Sequence, residues 1–280
     1  MLKKIVAAAY IVLALYTSGT AQVKLPAPSP RQVLRQEFAL GSIQVNYCRP
    51  AAKGRKVFGD LVPYGKLWRT GANEATLISF TETVELAGKK IDTGTYALYT
   101  IPGIEVWEVI LNKGINNWGT DGYKESQDVL RFKLMPVKSK ENAETFTVQF
   151  ASIKPESCTL QLHWEKLLLN IPVTVNFRDK LRQQLEAALL SDQKPYWQAA
   201  QFYTEYDKNL PRALDYVTKA SEAYPKAFWV LLYKANIQKS MGDVAGALAS
   251  SKLSMQLAKE AGNEDYVRMN QQLQKELKRQ

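Results

Sequence analysis

The chain has 280 residues, with 37 basic against 27 acidic side chains for a formal charge of +10, one histidine and two cysteines. A lone histidine cannot build a multi-histidine metal site, and two cysteines make no cluster to stand in for one, so neither a metal nor another cofactor is expected. With 46% hydrophobic residues, the length suits more than one domain with a true core, not a disordered chain or a small disulfide-stapled scaffold.

The N-terminus reads as an export address. Lys3 and Lys4 precede an apolar run from Ile5 to Tyr16, and small residues follow up to Ala21, after which cleavage is expected. The run falls short of the ~20 residues that a bilayer span needs. No later segment is long enough either, so residues 1–21 are expected to be removed and the mature chain to be periplasmic or secreted, with no membrane span. Removal takes two lysines and no acids, leaving 35 basic against 27 acidic side chains, a charge of +8. That balance favours acidic partners such as an anionic small molecule or glycan. It is also what a solubility device would look like. Export takes the chain away from most nucleic acid, which is not expected as a partner.

After a linker over 22–34, the dominant period from about residue 35 to 177 is two. Ile43, Val45 and Tyr47 share one face of the first strands, and Trp107, Val109 and Leu111 share another. Leu130 to Leu134 alternates with Arg131 and Lys133 outward, Thr145 to Phe150 alternates cleanly, and Ile171, Val173, Val175 and Phe177 close the series. Gly88, Gly94, Pro102-Gly103, Asn116-Asn117 and Lys154-Pro155 punctuate the strands. The pattern predicts an antiparallel β-sandwich. No strand-helix alternation and no glycine-rich phosphate fingerprint is present.

Between the strands lies an unusually dense stretch, residues 47–76, YCRPAAKGRKVFGDLVPYGKLWRTGANEAT. Connectors use Gly and Pro for their backbone angles, but Trp68, Arg69, Asn73 and Glu74 are costly choices for a mere link. One reading is a ligand shelf: Arg69 grips a carboxylate, sulfate or phosphate bidentately, Trp68 stacks on a sugar face, and Arg49 and Arg55 enlarge the cationic patch. The other is internal architecture, with Arg69 paired to Glu74, Asn73 holding loop backbone and Trp68 capping the core. Glu74 with Asp60, Asp92, Asp121 or Asp128 could also form the acid pair of a glycan hydrolase. Aromatics on the strands and their ends (Tyr96, Tyr99, Trp107, Trp118) are expected mostly in the core. His163 is expected exposed on the polar face of its strand, opposite Trp164.

The wording of this stretch resembles a family. Tyr47, Arg49, Pro50, Gly54, Arg55, Phe58, Gly59, then Leu61 to Gly65, Trp68, Arg69 and Gly71 to Ala75 resemble the signature of the bacterial domain of unknown function 2911. The similarity continues through Gly94, Tyr96, Leu98, Pro102, Trp118, Gly119 and the strand around Trp164, covering about residues 35–176. The resemblance implies an exported domain without an assigned reaction, and it supplies no catalytic residues. Cys48 stands where the family is expected to carry serine, so no hydroxyl chemistry follows from that position. Cys48 and Cys158 could meet as a disulfide in an oxidising compartment, but strand phase argues against it. Cys48 lies opposite the Tyr47 face, whereas Cys158 shares the apolar face of Leu160, Leu162 and Trp164.

Beyond Phe177 the period becomes 3.6, with Leu181, Leu185, Ala188 and Leu189 in one stripe. Counted from Lys194, Trp197, Ala213, Ala220 and Pro225 fall at positions of the tetratricopeptide repeat, a unit of ~34 residues. A second unit from Phe228 keeps Ala235, a Gly242-Asp243 turn and Ala247, but carries Ser251 and Ser254 at two consensus positions. A closing helix over 264–278 is expected with Tyr266, Met269, Leu273 and Leu277 inward. Residues 178–280 thus predict a tetratricopeptide-like helical domain, either a surface for a protein or peptide partner or a packed appendage. For the whole chain, an exported binding or scaffold protein is the preferred expectation. A carboxylate-dependent hydrolase of envelope glycan and a purely structural envelope component are the alternatives.

Overall fold

A computed structural model describes residues 25–279. The expected leader and its cleavage point at Ala21 lie outside the described residues. The chain divides into two compact units between Val175 and Asn176, strands in the first and helices in the second.

Ten strands form two antiparallel sheets. One is built from β1 (Arg31–Phe38), β2 (Gly41–Cys48), β3 (Thr76–Phe80), β6 (Gly94–Ile101), β7 (Trp107–Asn112) and β8 (Asp128–Leu134), ordered β1-β2-β3-β6-β7-β8. The other contains β4 (Val84–Leu86), β5 (Lys89–Ile91), β9 (Val137–Lys154) and β10 (Ser157–Thr174), ordered β5-β4-β10-β9. Alternation decides which side of each strand is buried. Phe146 and Val148 on β9, and Leu160, Leu162 and Trp164 on β10, face the core, while Arg131 and Lys133 on β8 stay exposed.

The segment that follows β2 ties the sheets together. Pro50 and Ala52 exchange backbone hydrogen bonds with Phe146 and Glu144 of β9 at 2.8 Å each, so residues 50–52 line the edge of β9. The Tyr47 hydroxyl accepts the Val148 N–H at 2.9 Å, and its ring meets Phe146 edge-on at 5.7 Å. A cluster of Phe58, Trp68, Trp107, Phe146 and Trp164 fills the space between. Tyr96, Tyr99 and Trp107 are core residues, as expected of strand aromatics, whereas Trp118 is 62% exposed. His163 differs from its expected exposure: it is half-buried, and its Nε2 is enclosed without a partner. Both cysteines are buried free thiols.

Six helices follow: α1 (Arg178–Leu189), α2 (Tyr196–Glu205), α3 (Leu210–Ala223), α4 (Phe228–Ser240), α5 (Val244–Glu260) and α6 (Glu264–Leu277). Their starts are written locally. The side chains of Asn209, Asp243 and Asn263 accept backbone N–H groups at the N-termini of α3, α5 and α6. Consecutive helices pack through alanines that let backbones approach, with Ala213, Ala220, Ala235 and Ala247 fully buried. This agrees with the tetratricopeptide-like pattern. Helix α6 is rotated from expectation. Leu273 and Leu277 are buried, but Met269 is 51% exposed and Val267 and Asn270 turn inward instead. Asn270 is drawn in by the two serines that break the repeat: it accepts from Ser251 Oγ at 2.8 Å and donates to Ser254 Oγ at 2.9 Å. Among the described residues no helix is long and apolar enough to cross a membrane.

Candidate functional site

The loop from Trp68 to Ala75 is a tightly determined piece of backbone. Thr70 and Asn73 hold φ of 53° and 61°, in the left-handed region that a β-branched threonine rarely adopts. Such strain, of order 1–3 kcal/mol, persists only where the surroundings over-determine it. Here they do. The Thr76 hydroxyl donates to the Thr70 carbonyl at 2.6 Å, the Thr70 and Thr100 hydroxyls share a bond at 3.1 Å, and Trp68 Nε1 donates to the Gly71 carbonyl at 3.0 Å. Trp68 also exchanges backbone bonds with Thr100. Gly71 sits in a close approach: a Cβ there would stand 3.1 Å from the Cys48 carbonyl, tighter than an ordinary contact.

This loop forms one wall of a cleft of about 350 Å³, at the small end of the range for ligand sites. Arg55, Lys66 and Arg69 supply its charge, Trp68 and Trp164 its aromatic surface, and Thr120 a hydroxyl. No carboxylate lines it. Trp68 and Trp164 lie nearly parallel with ring centres 5.9 Å apart, so the aromatic surface of the cleft belongs to the stack at the centre of the core. Such a wall is rigid.

The three cations are differently committed. Arg55 spends two donors on the carbonyls of Ala51 and Ala52, at 3.0 and 2.9 Å. Arg69 has its Nε buried with no hydrogen-bond partner. Its Nη1 lies 3.1 Å from where a Cβ on Gly119 would stand, so the guanidinium rests across the 117–120 segment, which is held by a backbone bond from Ala75 to Asn117. Lys66 is exposed. A desolvated guanidinium donor with nothing to bond costs about 1–3 kcal/mol relative to a satisfied one.

Of the six residues marked by sequence, the cleft gathers Arg55, Trp68 and Arg69 and leaves three outside. Arg49 reaches over β9, donating from Nε to the Phe146 carbonyl at 3.2 Å and from Nη2 to Thr147 Oγ1 at 2.9 Å. Asn73 is exposed. Glu74 forms an ion pair not with Arg69 but with Arg31, at 2.7 Å, both side chains about half exposed. Asp128, another candidate acid, binds Arg131 and Tyr123. Lys66, Thr120 and Trp164 also line the cleft. The alternation of its strand marks Trp164 as core, and nothing local distinguishes Lys66 or Thr120 from surface residues. Among the described residues no three His, Cys, Asp or Glu side chains gather closely enough to hold a metal ion.

What fold and cleft define together is a β-sandwich with a small cationic, aromatic-walled depression on the signature loop, followed by a helical unit. A family model described as "Protein of unknown function (DUF2911)" matches residues 29–173, and the chain belongs to that family. The match spans the sandwich and the whole cleft-forming loop. Neither the curated proteins nor the solved structures contain a match to the chain.

Proposed function

We propose that this protein is a binding module: the sandwich takes an anionic ligand in the Arg69 cleft, and the helices present a surface to a protein or peptide partner. One observation carries the first half. Arg69, whose Nε is buried without a hydrogen-bond partner, lines a cleft that has three cations and no acid in its lining. The ligand that fits is a carboxylate, sulfate or phosphate on a compact body, such as an acidic sugar. Arg69 anchors the anion, Lys66 adds charge at the rim, and Arg55 fixes the loop and lends its remaining donors.

The hydrolase reading has less support, because it needs two acids converging beside Arg69. Glu74 is turned to Arg31 instead. We further infer export to the periplasm or beyond from the charged start and apolar run of residues 1–21.

The test is a thermal-shift and calorimetric panel on the mature chain with phosphate, sulfate, di- and tricarboxylates and uronic-acid oligosaccharides. A ligand bound only by the native state raises its melting temperature. At least one class is expected to stabilise the wild type and not Arg69→Ala, with Arg69→Lys restoring little because a point charge does not reproduce the fork. A flat panel, or equal shifts in both proteins, refutes the reading.

A further inference from the structure

A second surface of the sandwich is built differently from the cleft. Where β7 begins, Trp107 pairs with Leu134 of β8. The chain just beyond that pair is therefore the 102–106 loop on one side and Met135-Pro136 on the other. Tyr64-Gly65 is pinned beside them by the bond from Gly65 N–H to the Pro102 carbonyl at 2.8 Å. Together these segments and β9–β10 surround a groove of about 580 Å³. On these segments large apolar side chains stay exposed: Ile104 is 77% exposed, Met135 74%, Val137 45% and Tyr64 38%. Clustered apolar surface of this kind on a folded domain marks an interaction face.

The charge around it is one-sided. Lys56, Lys138 and Lys166 line the groove. The one acid in the lining, Glu165, is committed, accepting the Val57 N–H at 3.1 Å. Glu105 is the single acid on the projecting loop.

We propose that this face docks on an anionic lipid surface, with Ile104 and Met135 entering the interface and Lys56, Lys138 and Lys166 meeting headgroups. Apolar tips beside hydrated, flexible lysines are the combination that interfacial binding uses: the tips lose contact with water, and the ammonium groups stay at headgroup level. The same lysines argue against a second copy of the chain as occupant, because a symmetric contact would bring like charges together. The proposal is independent of the Arg69 cleft.

Co-flotation of the full-length mature chain with phosphatidylcholine vesicles, and with mixed phosphatidylcholine–phosphatidylglycerol vesicles, tests it. Binding to the mixed vesicles is expected, weakened by salt, and reduced at least about ten-fold in Ile104→Asp/Met135→Asp. Both side chains are exposed, so the variant should keep the wild-type melting temperature and circular dichroism, which are measured alongside. Lys138→Ser and Lys166→Ser should each lower binding to anionic vesicles roughly five-fold, the equivalent of about 1 kcal/mol per lysine, and leave the neutral vesicles unaffected. Absence of binding to the mixed vesicles overturns the proposal, as does binding that survives the double aspartate substitution. Self-association abolished by that substitution, without vesicle binding, overturns it in favour of a second copy. Uptake of monomeric decanoate without vesicle binding overturns it in favour of a soluble amphiphile.

Discussion

Two polar side chains, one in each unit, are buried in opposite ways. In the helical unit, Asn270 is fully enclosed, and every part of its amide is used: Oδ1 accepts from Ser251, and Nδ2 donates to Ser254 and to the Tyr266 carbonyl at 2.8 Å. Ser254 in turn donates to the Phe228 carbonyl at 2.7 Å, so the network links α4, α5 and α6. In the sandwich, Arg69 lines the cleft with a longer and charged group and leaves its buried Nε without a partner. A closed network is architecture, since buried polar groups that satisfy one another need nothing further. A side chain that lines a cleft with a donor unsatisfied is not closed in that way. Lack of a partner is not sufficient by itself: Trp107 Nε1 and His163 Nε2 are also unpaired, and neither lines the cleft.

The largest effect is expected where wall and core coincide. Trp68→Ala removes an aromatic that touches Phe58, Trp107, Phe146 and Trp164, together with the Nε1 bond that holds Gly71. A loss of about 3–5 kcal/mol in urea unfolding of the sandwich is expected, with anion binding gone. A milder loss would mean that the tryptophan is mainly a ligand surface and that the cleft is not anchored in the core.

Alkaline pH separates the units next. Burial raises the Cys158 thiol from its ordinary 9 to about 11. Between those values the unfolded chain releases the proton and the folded sandwich keeps it, so stability is complete below pH 9 and declines as pH rises toward 11. That separation contributes at most about 2.7 kcal/mol of stability. The helical unit's most shifted group is Tyr233, raised by burial from 10 to about 12, so its decline starts later. Circular dichroism melts from pH 8 to 11 should show strand signal failing before helix signal, and Cys158→Ala should narrow that gap.

Asn270→Ala deprives Ser251 and Ser254 of one bond each in a closed interior and should cost about 2 kcal/mol, with anion affinity unchanged. Arg69→Met is the counterpart, expected within about 1 kcal/mol of wild type because the deleted Nε had no partner to lose, yet abolishing anion binding. If Arg69→Met proves as damaging as Asn270→Ala, the distinction between the two regions collapses and Arg69 is architecture too.

How far this contrast could be read beforehand depended on how local its causes are. Strand alternation at Phe146–Val148 and Leu160–Trp164 and the alanines of the helices are local, and each fell on the face its spacing implies. Asn270 was not legible. A polar residue on a helix turns inward only if partners await it, and those partners sit 16 and 19 residues earlier on α5. In the cleft, Arg69 and Trp68 stood out by their cost within a loop. Lys66 and Thr120 entered only because the 60s turn and the 117–120 segment fold onto the same wall, and Glu74 left because Arg31, far back in sequence, lies across from it.

The Arg31–Glu74 pair offers the smallest and sharpest test. It is short, 2.7 Å, but each side chain is nearly half exposed, and water screens such pairs to about 0–1 kcal/mol. The Cys48 thiol, 3.9 Å from the other carboxylate oxygen, adds little at that distance. Glu74→Gln should therefore cost less than 1 kcal/mol at low salt and still less at high salt. Because Glu74 lies outside the cleft lining, the affinity for the anion that Arg69 holds should be unchanged. A ten-fold change in that affinity would join the Glu74 carboxylate to the Arg69 cleft and reopen carboxylate chemistry there, whereas the small, salt-sensitive loss leaves the cleft to its cations, Arg55, Lys66 and Arg69.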